Sequence, residues 1–242
     1  MINWLNVKQR FRDWMKIRGD YDRYPDSYAL TDQGLEKHLL EAIRFRQTVD
    51  RAIVLITHFP ATFERVQQLL EDNGLNPEIA PLSFNPSFLL SLIESPTSGP
   101  PPIVLALART LDDSSLDRPL AARRDLKLSF MVLERHPRLA EDRSIDQFAR
   151  VWPFSVRLGY LLSLQDPVIE YCIHPTAIEV LKQLGLRDQQ LVTSEMISRR
   201  LEKVLQRLNL PATPLPSSRP LTEDSAEEWL KQLPPPAHRA SG

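Results

Sequence analysis

The sequence predicts an α/β fold in which a parallel β-sheet is flanked by helices. Three segments, 52–57, 103–108 and 128–133, are continuous apolar runs of the length and composition of buried strands. Segments with helical periodicity lie between them. This alternation is typical of a parallel sheet whose strands are joined by right-handed crossovers. We therefore expect a single lobe with one central sheet.

The composition of the chain excludes several classes of protein. The chain has 242 residues, a formal net charge of −1, 7 glycines and one cysteine, Cys172. A nearly neutral chain has no global field that would attract nucleic acid, so no nucleic-acid partner is expected. One cysteine cannot form an internal disulfide, which fits a reducing compartment. With no apolar run of membrane-spanning length and no signal-peptide pattern at the start, we expect a cytoplasmic protein.

The first element predicted is a basic amphipathic helix in residues 1–18. Trp4, Phe11 and Trp14 recur at helical spacing on one stripe, and lysines and arginines occupy much of the remaining surface. Such a helix can lie on an anionic membrane surface, dock on a partner or pack on its own domain, and the sequence leaves all three open. Residues 19–27 are predicted to be a linker.

The middle of the chain is predicted to alternate between helices and strands. A helix from Thr31 leads into the strand at 52–57. A second helix begins at Pro60 and ends at Asn73 and Gly74, a typical helix stop. A short apolar segment near 79–82 and a short helix over 88–93 precede the strand at 103–108. The strand at 128–133 is the last that the pattern predicts.

Beyond residue 166 the pattern becomes helical. Short helices are predicted over 169–173 and 178–184, and a longer one over 196–208. Prolines then interrupt the periodicity. A last helix is predicted to begin at Asp224, with the Asp224 carboxylate as its cap, and to contain Trp229. The final residues are expected to be disordered.

Several of these segments together resemble one known family. Residues 29–75 read as a helix, a strand that ends in a threonine turn, and a helix before a Gly-Leu step. Residues 128–136, with Glu134-Arg135-His136, resemble a strand that runs into Thr-Glu-Arg-His. Residues 145–147, 161–166 and 181–209 resemble Ile-Asp-Asn-Gln, Leu-Ser-Leu-Glu-Asp and a closing Val/Ile-Ser-Arg helix. In this order they resemble the second nucleotide-binding lobe of the SecA preprotein translocase ATPase over residues 28–209.

The resemblance implies a RecA-like lobe, of the P-loop NTPase type, that handles nucleotide at the carboxyl ends of its strands. The residues at the matching positions, here expected to be vestigial, are Thr57, Arg109, Glu134, Arg135 and Arg150. It also implies a setting in protein export.

The departures from the family argue against catalysis. Residues 108–113 replace a glycine-bearing Ala-Gly-Arg-Gly-Thr-Asp motif and contain no glycine. The family's arginine motif that reaches the γ-phosphate has no counterpart after Gln147, because Arg150 and Arg157 stand at other offsets. An arginine finger works only when it is accurately placed. No G-x-x-x-x-G-K-[ST] loop occurs in the chain. We therefore predict no catalytic residue and no cofactor, with weak binding of ATP or ADP as the alternative.

Other reactive residues have a structural and a functional interpretation. Cys172 and His174 place a thiol near an imidazole, but at this spacing on apolar helix flanks packing is favoured. The histidines and the cysteine have no zinc-ligand spacing, so no metal site is predicted. Glu134, His136 and Asp146, with Arg135, are predicted to form a polar cluster at the carboxyl end of a strand, either an ion-paired support or a ligand site. Trp152 and Phe154 are hypothesised to fill the room of a missing phosphate site.

Three functions stay open at this point. The first is a non-catalytic lobe retained as a protein-interaction or regulatory module, with export machinery or a complementary motor lobe as partner. Its docking elements would be the helix in 1–18, which can also touch the membrane peripherally, and Trp229. The second is a vestigial ATP- or ADP-binding domain, and the third is an unrelated α/β hydrolase. The predicted units are 1–27, a lobe at 28–192, a closing helix at 193–209 and a proline-rich end at 210–242.

Overall fold

The computed structural model describes residues 19–94, 99–111, 123–183, 187, 190–208 and 224–233. The predicted basic helix with Trp4, Phe11 and Trp14 lies outside the described residues. So do the proline-rich stretch 209–223 and the tail 234–242.

The described residues form an eight-stranded, mostly parallel sheet. In chain order the strands are β1 (Tyr21–Arg23), β2 (Ser27–Ala29), β3 (Ala52–Thr57), β4 (Glu78–Ile79), β5 (Ile103–Leu107), β6 (Arg123–Val132), β7 (Phe154–Ser163) and β8 (Leu191–Thr193). Along the sheet they lie in the order β4-β5-β3-β6-β7-β2-β8, and β1 pairs with the first part of β7. Every pairing of these strands is parallel except that of β2 with β8. The predicted α/β class is confirmed.

Helices connect the strands and cover both faces of the sheet. Within the described part of the chain they are α1 (Asp32–Arg46), α2 (Pro60–Asp72), α3 (Pro86–Ile93), α4 (Leu139–Val151), α5 (Pro167–Cys172), α6 (Pro175–Gln183), α7 (Glu195–Leu208) and α8 (Ala226–Leu230). A 3₁₀ turn, Ala108–Thr110, follows β5. Several of the helices begin with a side-chain cap. At the start of α1, for example, the hydroxyl oxygen of Thr31 accepts a hydrogen bond from the N–H of Gly34.

Alternation along the central strands divides the core into two layers. In β3, Ile53 and Leu55 face α1 and α2, whereas Val54 and Ile56 face the layer that includes α4 and α7. Both sets are fully buried. This explains why the strand reads as a continuous apolar run, since a parallel strand in the middle of a sheet has no solvent side.

The stretch predicted as a linker contributes to the sheet instead. Residues 21–23 form β1 and residue 27 begins β2, and both strands pair with β7. At Gly19 the backbone lies so close to β7 that a side chain would not fit. An added Cβ would lie 1.7 Å from the carbonyl oxygen of Phe154. Polar composition misled the prediction here, because β1 lies at the sheet's amino end and its residues are only partly buried.

The last helix begins one residue later than predicted. Ser225, not Asp224, is the cap of α8, and its hydroxyl oxygen accepts a hydrogen bond from the N–H of Glu228 at 3.3 Å. The carboxylate of Glu228 in turn accepts a bond from the N–H of Asp224 at 3.1 Å. This exchange resembles a capping box displaced by one residue.

Candidate functional site

Polar side chains gather where β3, β6 and β7 end. These strands are neighbours in the sheet and parallel, so the residues that follow them meet at one edge. Open α/β sheets bind their ligands at this edge. We call the group of buried or nearly buried polar residues there the carboxyl-edge cluster; it consists of His58, Glu134, Arg135, His136, Asp142 and Asp166.

The carboxylate of Glu134, a residue that follows β6, lies at the N-terminus of α2. One of its oxygens, Oε1, accepts hydrogen bonds from the backbone N–H groups of His58 at 2.6 Å and Phe59 at 2.9 Å. The other, Oε2, accepts a bond from the Thr62 hydroxyl at 2.6 Å. Burial raises the pKa of Glu134 although these donors favour its charged form. A carboxylate from the neighbouring strand therefore takes the donors that a helix start could offer to a phosphate.

Asp142 and Arg135 form the charged centre of the cluster. Arg135 donates to the Asp142 carboxylate at 2.9 Å and also to that of Asp26. The other oxygen of Asp142 accepts bonds from the His58 ring at 2.9 Å and from the N–H of His136 at 3.3 Å. Burial alone would raise the pKa of Asp142, but the Arg135 charge and the His58 hydrogen bond outweigh it and lower that pKa. Asp142 thus stays ionised and ties α4 to the ends of β3 and β6.

His136 is held as a neutral ring. It stacks on Phe59 with 5.2 Å between ring centroids and 11° between planes. Its Nδ1 atom accepts a hydrogen bond from the N–H of Arg138 at 2.9 Å, and its buried Nε2 atom has no hydrogen-bond partner in the part of the chain that the structure describes. Burial, and then the nearby His58, lowers the pKa of His136 to about 3. Near neutral pH the ring is therefore uncharged.

Asp166 caps α5 from a buried position. Its Oδ1 atom accepts bonds from the N–H groups of Val168 at 2.8 Å and Ile169 at 3.2 Å. Burial, followed by repulsion from Glu134, raises its pKa to about 7 in spite of these donors. Two carboxyl groups thus lie close together at the sheet edge, and Asp166 titrates near neutral pH.

The structure places the other predicted residues apart from the cluster. Asp146 pairs with Arg150 at 2.6 Å and with the Tyr21 hydroxyl, so it is Asp142, one turn earlier, that joins Glu134 and His136. Arg150 is about half exposed on α4. Arg109 is exposed in the turn after β5. Thr57 ends β3 fully buried, and none of the residues that the structure describes forms a hydrogen bond with its hydroxyl.

Two further predictions concern residues that the structure places in or beside the core. Cys172 is 3 % exposed, and burial raises its pKa to about 12, so it is not a nucleophilic thiolate at neutral pH, whereas His174 is exposed. Trp152 and Phe154 lie at the amino end of β7, inside an aromatic group with Phe84 and Phe130. This is the opposite end of that strand from the carboxyl edge, so the hypothesis that they fill a phosphate site is wrong.

Trp229, predicted to dock on a partner, is docked on its own chain. It is 5 % exposed, it meets the His136 ring edge to face at 5.9 Å, and the Arg138 guanidinium lies 5.8 Å from its ring centroid. The helix that carries it packs against α5.

Two cavities adjoin the cluster. The larger, about 690 Å³, lies between the turn after β1, α4 and α7, and Arg135 and Tyr160 form part of its wall. The smaller, about 210 Å³, lies at the carboxyl edge itself. Glu134, Asp166 and Thr62 line one side of it, and residues 225–227 line the other.

Sequence reasoning missed Asp142, His58 and Asp26. A signal for Asp142 was present, because it stands three residues from both Leu139 and Ile145 on the apolar stripe of α4. A carboxylate on such a stripe requires a buried cation or donor. His58 and Asp26 carry no comparable pattern, since each lies next to a short strand and acquires its partners only through the tertiary fold.

In the part of the chain that the structure describes, no three His, Cys, Asp or Glu side chains are grouped so that they could hold a metal ion. Within the same residues, no helix combines the length and the apolar character needed to cross a membrane.

Comparison with known proteins adds little. No family model matches the sequence, and no curated protein matches it either. Among solved structures, the chain is similar to the C-terminal domain of a possible DNA helicase from Lactobacillus plantarum WCFS1. The two share 12% sequence identity over 70% of this chain and 93% of that one, with a TM-score of 0.29.

Proposed function

We propose that this chain is a non-catalytic α/β lobe, related to the second motor lobe of SecA, that acts as a protein-interaction or regulatory module. The observation that carries the proposal is the Glu134 carboxylate, which takes the N–H groups of His58 and Phe59 at the start of α2. An anion bound there would have to displace a buried carboxylate or lie beside one.

The other charged groups of the edge support the same conclusion. Arg135, a residue that the resemblance would assign to nucleotide, is already neutralised by Asp26 and Asp142. Asp166 takes the first N–H groups of α5. A polyphosphate brought to this edge would meet two carboxyl groups, Glu134 and Asp166, and the guanidinium of Arg65 in the same cavity is paired with Asp32 at 3.2 Å. Repulsion of this kind argues against ATP binding. It supports a lobe that has kept its core residues and has lost its catalytic residues.

The partner is proposed from the sequence resemblance alone. A lobe derived from the export motor would bind either the export machinery or a complementary motor lobe, in the cytoplasm or at the membrane surface. The helix predicted from the sequence in residues 1–18, with Trp4, Phe11 and Trp14, is the proposed docking element.

Nucleotide titration is the test. ATP and ADP with magnesium are titrated into the full chain in a calorimeter, and the thermal midpoint is followed in parallel. No saturable heat and no shift up to millimolar nucleotide is the expected result. Saturable binding at micromolar to low millimolar levels would overturn the proposal in favour of a vestigial nucleotide-binding domain, and Arg109→Ala and Arg135→Ala would then locate the site.

A partner test follows. The full chain and the same chain without residues 1–18 are mixed with purified candidate motor lobes and export components. Binding that requires the deleted residues supports docking through this segment. Equal binding by both chains would indicate that the interface lies on the described lobe and not on residues 1–18.

A further inference from the structure

The end of α1 carries an exposed surface of aromatic, aliphatic and arginine side chains. Phe45 is 61 % exposed, Val49 is 47 % exposed and Tyr24 is 37 % exposed. The Arg46 guanidinium lies 5.7 Å from the ring centroid of Tyr24 and 5.7 Å from that of Phe45, so it joins the two rings. We call these four residues, together with Arg157 of β7, the arginine–aromatic surface.

One buried carboxylate holds both arginines of this surface. Asp50, just before β3, has a fully buried side chain that lies 3.7 Å from Arg46 and 3.6 Å from Arg157. The Ser129 hydroxyl donates a hydrogen bond of 2.7 Å to the same carboxylate. Both arginine side chains reach solvent, whereas Asp50 does not. Two cations thus share one anion, and a positive charge remains at the surface.

The hydrogen-bond donors of the two arginines are available. Both distances to Asp50 are longer than a hydrogen bond, and the Oδ1 atom of Asp50 accepts none from the described residues. Within the same part of the chain, neither guanidinium donates a hydrogen bond to any other group. Guanidinium groups bind carboxylates through paired N–H donors. Since Arg46 and Arg157 already lie beside one carboxylate, they are close enough to share a second.

The surface is preorganised and separate from the carboxyl-edge cluster. Asp50 stands at the amino end of β3, and the cluster lies at the carboxyl end of that strand. Tyr24 is fixed by a backbone hydrogen bond of 2.8 Å from its N–H to the carbonyl oxygen of Leu158. Side chains that are already held in place lose less entropy when a partner binds.

The charges around the surface limit the kind of partner. Four arginines stand against three carboxylates at residues 39–51 and on the adjoining face of β1 and β7: Arg44, Arg46, Arg51 and Arg157 against Asp22, Glu41 and Asp50. A surplus of one positive charge suits a peptide carboxylate. Anionic membranes attract clusters of lysine and arginine without interspersed acids. A second copy related by a two-fold axis would place the same arginines against each other.

We infer that the arginine–aromatic surface is a docking site for an acidic, apolar segment of a partner protein. An Asp or Glu carboxylate of that segment lies between Arg46 and Arg157, and a neighbouring large apolar side chain packs on Phe45 and Val49. Aromatic and arginine residues are the types that dominate interface hot spots. This inference rests on the proposed function as an interaction module; it adds a site on the described lobe and names its partner class.

The test is a selection of a random peptide library against the full chain. Enriched peptides are expected to carry an acidic residue beside a large apolar one. Synthetic copies should bind saturably and more weakly as salt is added. Phe45→Ala and Arg157→Gln should each weaken their binding at least about tenfold, because one loses the apolar contact and the other a charged hydrogen bond.

Matched variants separate docking from folding. Arg199→Gln removes an exposed arginine of α7, on the other face of the sheet, and Leu82→Ala removes an exposed leucine. Both should bind the peptides as the unaltered chain does. Phe45→Ala should keep the thermal midpoint of the unaltered chain, because its ring is mostly in solvent, so its loss of binding is not a loss of folding. Peptides with Asn or Gln in place of their acidic residues should not bind.

Three outcomes would overturn the inference. The first is that no peptide is enriched, or that the enriched peptides lack acidic residues or bind Phe45→Ala unchanged. The second is that only vesicles of phosphatidylserine and phosphatidylcholine bind through Phe45 and Arg157, which would make the surface a membrane contact. The third is self-association that Phe45→Ala abolishes, which would make the occupant a second copy. None of these outcomes depends on the nucleotide titration, so the two proposals can fail separately.

Discussion

At the scale of single residues, Glu134 is the side chain on which the carboxyl edge depends. Glu134→Ala leaves the N–H groups of His58 and Phe59 and the Thr62 hydroxyl without their acceptor. We expect a loss of about 3 kcal/mol in the free energy of unfolding, measured by urea denaturation. Glu134→Gln keeps one acceptor oxygen and should lose only about 1 kcal/mol.

Glu134→Ala also tests whether the carboxylate stands in an anion position. A helix start with free N–H donors binds sulfate. Sulfate should therefore raise the thermal midpoint of Glu134→Ala more than that of Glu134→Gln, with chloride at equal ionic strength as the control. Equal shifts in the two variants would show that the edge does not bind anions even when it is emptied.

Because of Asp166, the free energy of unfolding should decrease as the pH rises, which is an unusual direction for an aspartate. Its pKa is about 7 in the folded chain and about 3.9 when unfolded, so the folded state binds more protons between those values. Its contribution to stability is complete below about pH 4 and is lost as the pH rises to about 7. Asp166→Asn should remove this fall, as measured by denaturation at pH 5 and pH 8.

The comparison must be made as a difference between the two proteins. His136, with a pKa of about 3, contributes stability that increases with pH up to its unfolded pKa near 6.5. That slope is common to both proteins and cancels in the difference. If the unaltered chain and Asp166→Asn gain or lose stability in parallel from pH 5 to pH 8, the raised pKa of Asp166 is refuted.

At the scale of elements, Asp142 joins three parts of the chain. Its carboxylate holds His58 after β3 and Arg135 after β6 from a position on α4. Asp142→Asn leaves Arg135 with a weaker partner in a buried site, and we expect a loss of about 3 kcal/mol in unfolding free energy. Asp146→Asn, one turn away on a partly exposed pair, should cost less than about 1 kcal/mol. Similar losses for both variants would contradict this account.

The sequence predicted the elements whose pattern is local. The strands at β3, β5 and β6 were expected from continuous apolar runs, and most of the helices from caps and periodicity, but α4 was not predicted. It missed β7 because Ser155, Arg157 and Gly159 alternate with its buried residues and interrupt the run. That alternation is the period-two pattern of a half-covered strand. It missed β1 because three polar residues form a strand only when β7 is beside them.

The candidate site was predictable to a smaller extent than the fold. Glu134, Arg135 and His136 were expected together because they follow one strand. Their true partners, His58, Asp26 and Asp142, are distant in sequence and are brought together by strand order, which no local pattern encodes. The choice of Asp146 over Asp142 arose from the family motif, whereas the apolar stripe of α4 would have favoured Asp142.

At the scale of the whole molecule, the aromatic group around Trp152 joins the helices of one face to the centre of the sheet. Trp152 is 1 % exposed and meets the rings of Phe84, Phe130, Phe148 and Phe154 at 5.0–5.7 Å. These residues come from the stretch before α3, from β6, from α4 and from β7. A defect at Trp152 should therefore weaken the lobe as one cooperative unit.

Trp152→Ala leaves a large cavity, and we expect a loss of about 3–5 kcal/mol in unfolding free energy. Trp152→Phe should cost much less, because the indole Nε1 has no hydrogen-bond partner among the described residues and a ring remains in the site. Fluorescence and far-ultraviolet circular dichroism should report a single transition with the same midpoint for each variant. An unchanged midpoint in Trp152→Ala, or two separate transitions, would mean that this aromatic group does not join the helices of that face to the sheet.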